Sequence, residues 1–290
     1  MTRPVGRQDF DGLLGLEPLD RDLFRGWCHD GIPLRAFGGQ VAAQALTAAG
    51  RTVPDGRSVH SLHGYFLRPG DTARPLDYAV ERVRDGSSYL SRRVTVTQDG
   101  ATVFTLSASF KKPEHAPDRQ PAPPCVPDPD DLPDLYEIWR RNNPDDYAQA
   151  EFRRVLDMRY VPGPAESTPG MTEQKLWIRS RERLSDDPLL HACALAYASD
   201  LFLAPAVALA TDRPRMLRDT PASVFLTSLD HAVWYHRPFR ADAWLLFAQR
   251  SPTSADGRGL AFAEVWSTDG RLIAHVVQET VVRPARQRSS

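Results

Sequence analysis

Lysine is almost missing from this chain. It stands only at positions 111, 112 and 175 of 290, and arginine supplies the rest of the 36 basic residues. Neither sign is in excess: 37 acidic residues leave a net charge of −1, which excludes the broad cationic surface of a nucleic-acid binder. The arginine bias reads mainly as a coding-sequence bias, and it also supplies bidentate forks for phosphate. Cysteine is scarce. Cys28, Cys125 and Cys193 are odd in number and widely spaced, which argues against a disulfide framework and a cysteine zinc site. The longest apolar stretch, around Ala192 to Ala210, is broken by Asp200 and Pro205 and is a poor membrane span. The first residues hold no signal-peptide core, and the terminal RQRSS matches no targeting motif, so a reducing cytoplasm is expected. G-x-S-x-G, G-x-x-x-x-G-K-[ST], G-x-G-x-x-G and H-E-x-x-H are all absent. An enzyme made from this sequence is expected to work without metal or cofactor.

What is present is a repeated order of elements. The Pro- and Asp-rich stretch PEHAPDRQPAPPCVPDPDDLPD cannot form a regular helix or an inner strand, because proline removes backbone donors and fixes φ. It divides the chain into a unit at 1–112, a linker at 113–135 and a second unit at 136–290. Before it, Gly38–Gly50 reads as a small-residue helix, followed by strands at 59–69, 76–84 and 89–97, an Asp99-Gly100 turn and a strand at 102–110. After it come a strand at 175–181, an Ala- and Leu-rich helix at 188–198, and strands at 224–237, 244–249 and 260–267. An Asp269-Gly270 turn then leads into a strand at 271–282. The phrases VHSLHGYFLRP and TSLDHAVWYHRPF lie about 167 residues apart, and the two Asp-Gly turns lie 170 apart. A stable offset marks a duplicated unit, each copy an α+β arrangement of one helix against an antiparallel sheet.

Three positions carry candidate chemistry. Asp200 is the only charged residue in HACALAYASDLFLAPAVALA, and a carboxylate in apolar surroundings needs compensation. From the residues alone it is either functional or a helix-end group reaching solvent. Gln278 shares a strand face with Leu272, Ala274, Val276, Thr280 and Val282, so it either finds buried partners or sits on an edge strand in water. Of Thr227 and Ser228, neighbours in one strand, one must face inward. His60, His63, His231 and His236 read individually as packed or surface histidines.

The stretches FGGQVAAQAL, VHSLHGYFLRPGD, RDGSSYLSRRV, ASFKKPE, SDLFLAPAVAL, SLDHAVWYHRPF and DGRLIAHVVQE, in this order and spacing, resemble the acyl-CoA thioesterase II family, the double hot-dog thioesterases. The resemblance implies two tandem hot-dog units, each a long helix wrapped by an antiparallel sheet. It implies metal-free hydrolysis of fatty acyl-CoA to fatty acid and CoA. Its site residues map to Asp200, Ser228 and Gln278, with serine where the family usually has threonine. The resemblance leaves two alternatives, a non-catalytic acyl-CoA-binding protein or another hot-dog activity such as enoyl-CoA hydration. The expected partner is a small-molecule acyl-CoA, with no nucleic acid and no membrane, in a homo-oligomer (dimer or tetramer).

Overall fold

A computed structural model describes residues 9–29, 35–142, 144–145, 155–162, 172–208 and 224–284; the chain start, the RQRSS end and the apolar stretch beyond 208 lie outside them. The first half holds α1 (Phe10–Leu14), β1 (Glu17–Asp20), β2 (Leu23–Gly26), α2 (Gly38–Gly50), β3 (Ser58–Phe66), β4 (Leu76–Asp85), β5 (Tyr89–Gln98) and β6 (Ala101–Lys111). The second holds α3 (Leu135–Asn142), β7 (Leu156–Val161), β8 (Thr172–Ser180), α4 (Pro188–Ala208), β9 (Val224–Ser228), β10 (Asp230–Tyr235), β11 (Leu245–Ala255), β12 (Arg258–Ser267) and β13 (Leu272–Pro284). The strands form one sheet in the order β1-β2-β4-β5-β6-β3-β10-β13-β12-β11-β8-β7, with β9 also on β13. Two helix-wrapped sheets thus meet edge to edge through the antiparallel pair β3·β10. This is the double hot-dog α+β arrangement.

Several elements differ from the sequence expectation. The helix at 188 runs ten residues further, through Pro205. Buried packing on all sides outweighs the one hydrogen bond that proline removes. The hairpin between β11 and β12 turns on Asp256-Gly257, both at positive φ like Asp99-Gly100, as a two-residue turn requires. The strand expected at 224–237 is two strands split at Leu229. Ser228 pairs with Thr280, whereas Ala232 pairs with Val277, so one extra residue bulges between them. Asp230 Oδ1 accepts the Glu279 N–H at this break, at 2.7 Å. The first unit has the same irregularity at His60, between Val59 and Ser61 on β6. The bulges at 60 and 229 set the true repeat at 169 residues. The Ser-Leu words that match at 167 are therefore not structural equivalents.

The two central helices cross antiparallel, and small residues let them approach. A Cβ on Gly39 would lie 2.6 Å from the Tyr197 carbonyl oxygen, and one on Gly50 would lie 2.4 Å from the Leu189 side chain. Between these ends Thr47 Oγ1 meets Cys193 Sγ at 3.3 Å. Helix α4 is long and apolar enough to cross a membrane, but 89% of that window is buried inside this protein. The segment before α2 is tied over it by Gln40 and Gln44, whose amides both donate to the carbonyls of Leu13 and Trp27. The Pro-rich segment straps the outer face of the second sheet. Trp177 Nε1 donates to the Pro127 carbonyl, Gln120 bonds to Gly270 and Leu272, and Val126 and Leu132 cover Trp177, Trp244 and Trp266.

Gly39→Ala drives a methyl into a backbone carbonyl. It is expected to lower the unfolding free energy by roughly 1–3 kcal/mol, read as a reduced urea midpoint at unchanged m-value. An unshifted midpoint would show that the helices separate without cost.

Candidate active site

The site lies where the start of α2 meets the middle of α4, above β9, β10 and β13. Asp200 is on α4, 5% exposed. Its carboxylate accepts from Gln278 Nε2 at 3.0 Å, and the backbone N–H of Gly39 and the Ser228 hydroxyl lie near enough to favour its charged form. The N-terminal end of a helix carries partial positive charge, so the first turn of α2 favours the ionised form. A Cβ on Gly38 would stand 2.8 Å from Asp200 Oδ2 and 2.9 Å from the Phe66 ring, which leaves no room there for a larger residue. Burial pushes the Asp200 carboxyl above its ordinary value. His231, Gln278, the Gly39 N–H and Ser228 all oppose that shift.

Asp200, Ser228 and Gln278 come together from three elements. Gln278 is fully buried on the inward face of β13, beside Thr280. Its Nε2 donates to both Asp200 Oδ1 and Ser228 Oγ. The amide must lie this way, because its oxygen would be repelled by the carboxylate. Ser228 is the half-buried residue of the pair and Thr227 the exposed one. A carboxylate offers about four acceptor sites, and the Gln278 amide takes one of them. Another can take a proton from a water.

Sequence reasoning undervalued His231. It is fully buried, with Nδ1 3.0 Å from Gln278 Oε1 and Nε2 2.9 Å from Ser199 Oγ. Strict alternation from Ser228 would have pointed His231 outward. The bulge at Leu229 reverses the phase, so Ser228 and His231 share the inner face. The other strand histidines lie away from this cluster: His60 bonds Ser109, His63 bonds Asp230 and His236 bonds His275. Among the described residues no cluster of His, Cys, Asp and Glu is arranged to hold a metal.

Among the described residues the first unit shows no counterpart of this site. Ala108 pairs with Arg92 as Gln278 pairs with Ala261. At the 169-residue spacing Val59 matches Ser228 and Leu62 matches His231. The buried Arg92 side chain occupies the region instead, bonded to Thr52 Oγ1, the Thr52 carbonyl and Asp85.

Two family models match the chain: Acyl-CoA thioesterase N-terminal domain over residues 25–111, and Acyl-CoA thioesterase C-terminal domain over residues 120–282. The chain is 38% identical over 287 residues to acyl-coenzyme A thioesterase 8 of Homo sapiens, covering 93% of this chain and 88% of that one. It is 35% identical to acyl-CoA thioesterase 2 of Haemophilus influenzae, covering 93% and 96%. The crystal structure of acyl-CoA thioesterase II TesB2 from Mycobacterium marinum superposes with a TM-score of 0.80 at 39% identity, covering 95% and 98%. A hot-dog-fold protein of unknown function from Alicyclobacillus acidocaldarius gives a TM-score of 0.76 at 24% identity, covering 94% and 97%.

Because the folded-state value of Asp200 is raised, its contribution to stability is fully present below the unfolded value and is lost as pH rises through the folded one. Asp200→Asn removes that loss. The variant is expected to be more stable than the parent by about 1–2 kcal/mol at neutral pH. The gap should shrink towards pH 4, the ordinary carboxylate range. Paired thermal melts across pH check this, and a gap that widens on acidification would contradict it.

Proposed function

This chain belongs to the acyl-CoA thioesterase family and is an acyl-CoA thioester hydrolase, and we propose that it works through one water activated at Asp200 and positioned by Ser228 and Gln278. The observation that carries the reading is the buried Asp200 carboxylate joined through the Gln278 amide to the Ser228 hydroxyl. A water held there gives its proton to Asp200 as its oxygen attacks the thioester carbonyl carbon. The tetrahedral intermediate collapses with cleavage of the C–S bond. Asp200 returns the proton to the departing sulfur, leaving the acid and CoA thiol. Gln278 fixes Asp200 and Ser228 relative to one another through its two amide hydrogens, and the Ser228 oxygen can accept from the water, so the water is held in place and much of the entropic cost of attack is removed. No covalent acyl-enzyme forms. The Gly39 N–H, a candidate donor to the developing oxyanion, also favours the charged form of Asp200.

Serine at 228 supplies the same hydroxyl as the family's usual threonine without the methyl that restricts χ1. An enoyl hydratase would need a second acid–base group on the substrate side. His231 does not meet that need, because Gln278 and Ser199 engage both its ring nitrogens. We place the enzyme in the cytoplasm as a homo-oligomer acting on fatty acyl-CoA. None of Cys28, Cys125 and Cys193 is in a disulfide, which fits a reducing compartment.

Thiol release from a panel of acyl-CoAs tests the scheme. Asp200→Asn is expected to lose about 10²–10⁴-fold in kcat, with Gln278→Ala and Ser228→Ala losing less and Ser228→Thr staying near the parent. An Asp200→Asn variant that keeps turning over, or an acyl group trapped on Ser228 that turns over, would sink the mechanism. Binding without thiol release would favour the non-catalytic alternative.

A further inference from the structure

We propose that His231 is a positioning residue of this hydrolytic site: its Nδ1–H holds the Gln278 amide in the one orientation that keeps N–H groups on Asp200 and Ser228 throughout the reaction. The inference rests on Asp200 being the base. A glutamine amide has two orientations of nearly equal shape, related by a half turn, that differ only in where donor and acceptor lie. In the resting site the charged Asp200 opposes a flip. Once Asp200 has taken the water's proton it is neutral, and its own O–H can donate to a flipped carbonyl. Ser228 can donate as well. His231, on the far side of the amide at 3.0 Å, keeps its preference through the cycle as long as it donates.

The contact with Ser199 is compatible with that donation. The Ser199 hydroxyl lies 2.9 Å from His231 Nε2 and 3.0 Å from the Ala196 carbonyl oxygen, and it has one proton for two acceptors. If the proton goes to Nε2, the neutral ring carries its own hydrogen on Nδ1. If it goes to Ala196, Nε2 must donate to Ser199, and a ring that also bonds Gln278 carries both hydrogens. Both states have Nδ1–H. The remaining tautomer would set a lone pair against Gln278 Oε1. Ser199 adjoins Asp200 on α4, so the chain Ser199–His231–Gln278–Asp200 closes a ring between helix and sheet. The first unit supplies an internal comparison. Where the glutamine position is Ala108, the histidine position is the buried Leu62, so packing alone does not require an imidazole there.

Two polar replacements separate positioning from packing. His231→Asn keeps an N–H near the Nδ1 position, and His231→Gln moves it towards Nε2. The Asn variant is expected to keep kcat within about threefold of the parent, and the Gln variant to lose about 10–100-fold, with KM nearly constant in both. Asp200 is faced by Gln278 of β13, Ser228 of β9, the Gly39 N–H of α2 and His231 of β10, of which the imidazole is the titratable one. Removing it should therefore move the acid limb of kcat/KM to higher pH in both variants, which a purely structural role would not do. Equal kcat losses in the two folded variants, or no loss in either together with an unmoved acid limb, would overturn the proposal. Should neither fold, Ser199→Ala decides. A several-fold lower kcat at constant KM supports the proposal, and an unchanged kcat and pH profile overturns it. Turnover surviving in Asp200→Asn would instead fail the underlying mechanism, whatever the His231 variants show.

Discussion

One carboxylate inside the crossing of two helices organises the molecule. Asp200 can stay there only because α2 begins close against α4, and α2 comes that close only because Gly38 and Gly39 carry no side chain. Ala-rich helices buried on every face make the same approach possible along the rest of the crossing. The sheet supplies what the helices cannot. Gln278 from β13 reaches up to the carboxylate and bonds it, with Ser228 of β9 and His231 of β10 bonded in turn to that glutamine. Buried charge, close helix packing and the curved sheet are thus parts of one arrangement.

Much of this was legible in the residues. Gly38–Gly50 stands where the small-residue pattern put it, because its composition tolerates no other close-packed role. The β5·β6 hairpin was marked by Asp99-Gly100, whose positive φ values few other residues accept. Asp200 and Gln278 stood out as polar groups in apolar patterns, and the family resemblance joined them to Ser228. Other features left no such mark. Pro205 and the apolar flank looked like a helix end, whereas burial carries the helix past it. The segment at 10–26 is held by Gln40 and Gln44 reaching from α2, a tertiary effect with no local periodicity.

The bulge at Leu229 was the most consequential hidden feature. Nothing about leucine signals an extra residue in a strand, yet that residue sets which way everything after it points. It turns His231 inward and Asp230 outward, and Asp230 takes up the backbone N–H at the break. The same irregularity at His60 shows that the kink belongs to the repeated unit, while the polar cluster of Ser228, His231 and Gln278 built around it belongs to one copy.

Fusion of the two units has a consequence for how such a protein can change over generations. In a pair of identical subunits every substitution appears twice, so a residue cannot be improved for reaction on one side and for rigidity on the other. A covalent tandem escapes that constraint. At matched places one half of this chain holds Val59, Leu62 and Ala108, while the other holds Ser228, His231 and Gln278. Arg92, anchored to Thr52 and Asp85, consolidates the half without chemistry. Under the proposed mechanism, asymmetry of this kind would leave one reaction centre among the described residues, beside a partner domain free to specialise as its scaffold.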